Sequence, residues 1–66
     1  MNVIINDQII ELANQITVSE LFTVLKRKTL GAAVAINKVI ITKSQWETYL
    51  VNDKDEILIF QIVAGG

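Results

Sequence analysis

The apolar positions fall first into the two-residue spacing of strands. Met1, Val3 and Ile5 alternate with Asn2 and Ile4, and beyond Asn6-Asp7, a turn-forming pair, Ile10 and Leu12 alternate with Ile9 and Glu11. The pattern predicts a β-hairpin with one apolar and one mixed face. The spacing then changes. Val18, Leu21, Phe22 and Leu25 recur at i, i+3, i+4 and i+7, the stripe of a helix that turns one face to a core. Ahead of it, Thr17 and Glu20 have the spacing of a capping box, in which hydroxyl and carboxylate each satisfy a backbone N–H. Lys26-Arg27-Lys28 is expected in the last turn, where positive charge opposes the carbonyl end of the macrodipole, and Gly31 at the helix stop.

Strand spacing returns with Val34 and Ile36 among Ala33, Ala35 and Asn37. Asn37-Lys38 turns the chain into a short strand, Val39-Ile40-Ile41. Ser44 and Glu47 suggest a second capping box before a helical turn carrying Trp46, Tyr49 and Leu50, with Trp46 in a satellite of the core. Asn52-Asp53-Lys54-Asp55 reads as a solvated turn. Ile57-Leu58-Ile59-Phe60-Gln61-Ile62 is the last strand, and Val63-Ala64-Gly65-Gly66 follows it. We expect a β-grasp domain over residues 1–62 and a flexible tail over 63–66.

A leading hairpin, one long helix and further strands imply an α+β fold. The expected form is the β-grasp (ubiquitin-like) arrangement: a mixed sheet of four to five strands packed on one main helix, plus a short helical turn. A split βαβ sandwich would require two full helices, and the segment at 45–50 is too short for the second. One helix covers one sheet face only, so the other face meets solvent or a partner.

Composition narrows the chemistry. The 66 residues are 52% hydrophobic and 20% charged, a globular balance in a chain short enough to be marginally stable. There is no Cys and no His, which excludes disulfides, thiolate or imidazole metal sites, Cys nucleophiles and His bases. The seven carboxylates are scattered over expected surfaces with no matched acid–base pair, and Thr17 and Ser44 are taken up by caps, so an autonomous enzyme is not expected. Six basic against seven acidic residues, with a pI near 5.1, leave no electropositive footprint for nucleic acid. No apolar run approaches the ~18–20 residues that span a membrane, and the N-terminal residues lack a secretion signal's pattern, so a cytoplasmic location is expected.

The end of the sequence stands out. Glycine occurs three times, and two of the three are Gly65 and Gly66. At average glycine usage that ending arises by chance in about one chain in two hundred, which favours a chemical reason for it. A Gly-Gly carboxylate carries no Cβ on either residue, so it can thread a narrow channel into another protein's active site. The strand leading to it agrees. With Ile57 and Ile59 facing the helix, Leu58, Phe60 and Ile62 form an apolar patch on the uncovered face, and such patches mark interaction sites. Gln61 falls on the inner side, at the strand's end.

Taken together, Ile5-Asn6-Asp7-Gln8, Thr17-Val18-Ser19-Glu20-Leu21, Ala35-Ile36-Asn37, Trp46 and the ending Ile59-Phe60-Gln61-Ile62-Val63-Ala64-Gly65-Gly66 resemble the ThiS family of thiamine-biosynthesis sulfur carriers from end to end. The resemblance implies a carrier. A partner adenylyltransferase would use ATP and magnesium to activate the Gly66 carboxylate as an acyl-adenylate. Sulfur from cysteine, by way of a desulfurase or related donor, would then convert it to a thiocarboxylate for thiazole synthase. On this resemblance Gly66 is the attachment site, Gly65 and Ala64 the slender tail, and Phe60, Leu58 and Ile62 the partner-binding surface. The chain itself offers no nucleotide site, Gly31 being solitary with no phosphate-cradling loop.

Two other readings share the fold. The small sulfur-carrier subunit of molybdopterin synthase has the same Gly-Gly end, but tends to be longer and to carry prolines before it, whereas this chain has no proline. A passive β-grasp binding module would use the apolar patch with incidental glycines. Asp53, Asp55 and Glu56 read either as a steering patch for a basic groove or as a solvated turn.

Overall fold

The computed structural model describes residues 1–61. Ile62, on the expected partner surface, and the expected tail 63–66 lie outside the described residues. Five strands form one mixed sheet: β1 (Asn2–Ile5), β2 (Gln8–Glu11), β3 (Ala32–Ile36), β4 (Val39–Ile41) and β5 (Glu56–Gln61). Their spatial order is β2-β1-β5-β3-β4, and helix α1 (Val18–Leu25) is the main helix. The expected β-grasp architecture is therefore present, with the last strand at the centre.

Both hairpins close in two residues. Ile5 pairs with Gln8 and Ile36 with Val39, leaving Asn6-Asp7 and Asn37-Lys38 as the turns. All four turn residues have positive φ, from 48° to 69°. This is the type I′ geometry that matches the strand twist and that Asn tolerates best among residues with a Cβ.

The same two asparagines also grip β5. The parallel β1–β5 ladder is only Ile4–Glu56 and Ile5–Ile57, because β1 must turn at Asn6. Asn6 Nδ2 then donates to the Ile59 carbonyl at 3.0 Å, and the Ile59 N–H donates to Asn6 Oδ1 at 2.9 Å. The carboxamide thus substitutes for the missing peptide of the ladder. At the other hairpin, the Glu56 N–H donates to Asn37 Oδ1 and Asn37 Nδ2 donates to Asp55 Oδ1, both at 3.0 Å.

The helix begins as expected. The Glu20 N–H donates to Thr17 Oγ1, and the Thr17 N–H to Glu20 Oε1. It ends a turn earlier than expected. Lys26 is left-handed (φ 57°, ψ 36°), its N–H bonds the Thr23 carbonyl and the Arg27 N–H bonds the Phe22 carbonyl. That is a Schellman end with lysine where glycine is usual. The basic triplet therefore does not lie in the last turn. Gly31 (φ 71°) instead occupies the third position of a turn closed by the Ala32 N–H on the Thr29 carbonyl, the type II position that favours glycine.

The second capping motif is also displaced. A 3₁₀ helix spans Lys43–Gln45, and Thr42, in place of Ser44, donates from its N–H and hydroxyl to Gln45 Oε1. The early start brings Trp46 back under the sheet, where its Nε1 donates to the Ile41 carbonyl at 3.0 Å. Trp46 belongs to the main core: it is buried and stacks on Phe22 with ring centroids 4.8 Å apart. Around this pair lie Val3, Ile5, Val18, Leu21, Val34, Ile36, Ile57 and Ile59. The Val18 and Val51 N–H groups bond the Tyr49 and Ile16 carbonyls, tying segment 46–51 to the start of α1.

The Asn6 grip gives a stability prediction. Asn6→Ala strands two part-buried backbone groups of Ile59 and should destabilise the fold by about 2–3 kcal/mol. Asn6→Gly eases the turn but should keep most of that loss in urea unfolding; wild-type stability for the glycine variant would show that the carboxamide contributes nothing.

Candidate functional site

The alternation of β5 decides which of its side chains are available. Ile57 and Ile59 point to the helix and are buried, whereas Leu58 and Phe60 point to the open face, 51% and 45% exposed. The register expected from the sequence is thus the observed one. On β3, Ala35 stands opposite Leu58 and Ala33 opposite Phe60. These small neighbours leave the two large side chains proud of the sheet. Ala35 is nevertheless almost covered, and it lies outside the core cluster, which fits a methyl shaded by Leu58 on one side and Ile40 on the other.

The open face is wider than the sequence reading made it. Ile40, 59% exposed, continues the row through Ala35 to Leu58. Ile4 and Ile9 pair across β1 and β2 on the same side, with Ile9 73% exposed. The signal was present in the sequence: Ile4, Ile9 and Ile40 fall where strict alternation calls for polar residues. The face is apolar at Ile9, Ile40, Leu58 and Phe60 and is interrupted by Glu56 beside Ile4, the composition of a candidate interaction site.

At the far end of β5, Gln61 sits on the inner parity yet is exposed. Its Nε2 donates to the Lys28 carbonyl at 3.1 Å, which ties the end of the strand to the loop after α1. An inner-facing glutamine is thereby accounted for: it bonds a loop carbonyl instead of entering the core.

The acidic turn is solvated except at Asp55: Asn52, Asp53, Lys54 and Glu56 are exposed. Both oxygens of Asp55 are used, Oδ2 by the Asn52 N–H at 2.8 Å and Oδ1 by Asn37 Nδ2, and the residue is buried. Asp53 Oδ1 accepts from the Asn2 N–H at 2.7 Å. Glu56 alone of the three forms no side-chain hydrogen bond among the described residues. Of the two readings the exposures favour the solvated turn, with Asp55 the exception, and Asp53 and Asp55 brace the turn that feeds β5. Ala64, Gly65 and Gly66 lie outside the described residues.

A five-stranded sheet with its last strand at the centre, one covering helix and an apolar open face beside that strand define a ubiquitin-like β-grasp protein. Comparison with known proteins carries this further. The ThiS family model matches residues 3–66, and the chain belongs to that family. It is 44% identical over 66 residues to the sulfur carrier protein ThiS of Escherichia coli (strain K12), with the whole of both chains covered. Its fold is that of the thiamine biosynthesis protein ThiS of Geobacter metallireducens. The crystal structure of that protein superposes over the whole of both chains with a TM-score of 0.88 at 22% identity. The solution structure matches with a TM-score of 0.79 at 23% identity, covering all of this chain and 88% of that one.

The opposed exposures on β5 make a paired prediction. Ile59→Ala should cost about 2–5 kcal/mol of stability, as deletion of buried methyl groups does. Phe60→Ala should cost about 1 kcal/mol or less, and weaken binding to a partner instead. Equal losses of thermal stability in the two variants would place Phe60 in the core and remove it from the docking face.

Proposed function

We propose that this chain is the sulfur carrier of thiazole formation in thiamine biosynthesis, with sulfur held as a thiocarboxylate on Gly66. The observation that carries the proposal is the apolar face of Leu58 and Phe60 on the strand that leads to Gly65-Gly66, in a chain of the ThiS family. The identity with the Escherichia coli sulfur carrier favours the thiamine branch over a molybdopterin-synthase subunit. Those partners are enzymes, and this chain is what they act on.

The chemistry follows from the reactivity of a carboxylate, which is a poor electrophile. An adenylyltransferase docks on the open face and admits the tail to its ATP site. There the Gly66 carboxylate attacks the α-phosphorus and pyrophosphate leaves. A persulfide, its outer sulfur drawn from cysteine through a desulfurase, attacks the acyl carbon of the adenylate and AMP leaves with the bridging oxygen. A second thiol of the partners then cleaves the S–S bond of the acyl disulfide, releasing the thiocarboxylate as the two partner thiols become a disulfide. The thiocarboxylate then yields its sulfur to thiazole synthase. ATP, magnesium and any catalytic cysteine belong to the partners. This chain supplies the docking face, a tail without side-chain bulk at its end, and the carboxyl group. No helix among the described residues is long and apolar enough to cross a membrane, and we assign the carrier to the cytoplasm with its partners.

The test is the intact mass of the protein purified from cells expressing its adenylyltransferase and a cysteine desulfurase. The expected result is an increase equal to one oxygen exchanged for sulfur, localised to Gly66 by fragmentation. An unchanged mass, with the same enzymes shown to charge a known carrier, would leave the passive binding module as the better reading. Gly66→Val should fold normally and fail to be adenylated, because a β-branched residue does not follow a glycine-width channel; normal adenylation would remove the steric role of the glycines.

A further inference from the structure

Half of the chain's six basic residues are consecutive, at Lys26, Arg27 and Lys28. The helix macrodipole does not account for them. They follow the last helical residue, and the terminal Phe22 and Thr23 carbonyls are already satisfied by the backbone N–H groups of Lys26 and Arg27. All three side chains are exposed. Two residues further on, Leu30 occupies the second position of the Thr29–Ala32 turn. At 84% exposure it is the most exposed large apolar residue among those described. Gln61, bonded to the Lys28 carbonyl, fixes this loop beside the end of β5, from which the chain continues to Gly66. An exposed leucine or a solvated lysine is ordinary by itself. Three cations and an unburied leucine on one short loop, bonded to the root of the tail, form a surface that suits a protein partner.

We propose that loop 26–30 is a second docking element, which recognises a carboxylate-bearing rim around the entrance of the adenylating enzyme's tail channel. The proposal rests on the carrier reading above and adds to it a specific contact. Distance argues for the rim and against the nucleotide. From Gln61 to Gly66 the chain spans at most about 17 Å, while charges in physiological salt are screened over about 8 Å. The loop cations therefore act where the tail enters and not where ATP is bound. The charge order along the carrier then has a complement: cations at the root face carboxylates at the rim, and the Gly66 carboxylate faces the cationic groups that any ATP site must hold. Because the chain as a whole carries a net charge of −1, a local positive patch also gives the encounter an orientation that net charge does not. Leu30, at the tip, supplies the apolar contact that holds the docked state.

The experiment measures adenylation and stopped-flow association of the full chain with the adenylating enzyme of its source organism, at low and high salt. The test variant is K26G/R27Q/K28Q, in which glycine suits the left-handed position at 26 and the two glutamines remove charge from exposed side chains. A control, K38Q/K54Q, removes charge from the turns at the opposite end of β5. Circular dichroism melting establishes that each variant is folded. The expected result for the loop variant is a fall of about tenfold in association rate and in kcat/KM at low salt, with kcat unchanged. The difference should close as salt is raised, and the control should match wild type. Leu30→Ser should speed dissociation without changing the salt slope. Wild-type kinetics in the loop variant, an equal loss in the control, or a loss confined to sulfur delivery to thiazole synthase would each overturn the proposal while leaving the carrier reading intact. A wild-type chain that is not adenylated at all would overturn both.

Discussion

Strand β5 takes its hydrogen bonds from two hairpins that otherwise do not meet. On one side it runs antiparallel to β3 over five residue pairs; on the other it runs parallel to β1 for only two. The short side is short because β1 has to turn at Asn6, and the deficit is made up by a side chain. Asn6 bonds both the donor and the acceptor of Ile59, while Asn37 bonds the Glu56 N–H and the Asp55 carboxylate. Both asparagines already occupy left-handed turn positions, so one residue type at each hairpin satisfies the turn and the central strand together. Buried backbone groups left without partners are costly, and here no buried side-chain polar atom among the described residues lacks one.

The apolar open face is a by-product of the same strand. A central strand under one helix must alternate, so placing Ile57 and Ile59 in the core places Leu58 and Phe60 outside. Polar residues outside would have served solubility. The open face instead carries Ile4, Ile9 and Ile40 as well, with Ala35 between Leu58 of β5 and Ile40 of β4. Core contacts and exposed apolar side chains thereby occupy opposite faces of one element.

Much of this was legible from spacing alone. The helix stripe, the Thr17–Glu20 box, both Asn-containing turns, the parity of β5 and the β-grasp order all follow from local pattern. What escaped was long-range. Trp46 looked like a satellite because nothing in its neighbourhood names Phe22, 24 positions earlier, as its stacking partner. Asp55 looked solvated because its partner Asn37 lies on a different hairpin. The helix end was misplaced because lysine replaces the glycine that usually signals a left-handed stop, and the nearest glycine serves a different turn. Propensity identifies residues that suit a conformation; it does not identify a charged residue held there by two backbone hydrogen bonds.

The position of β5 has a consequence for how the molecule comes into being. Each hairpin closes through contacts near in sequence, yet the two halves of the sheet are joined only by residues 56–61, and the β1–β5 pairs span about fifty residues of chain. Loop closure of that length is paid before the pairing rewards it, so the seam is the slow, non-local step of folding. The strand that completes the sheet is also the one that leads to Gly66, so the exposed pair Leu58 and Phe60 takes its place only once both halves of the sheet are joined.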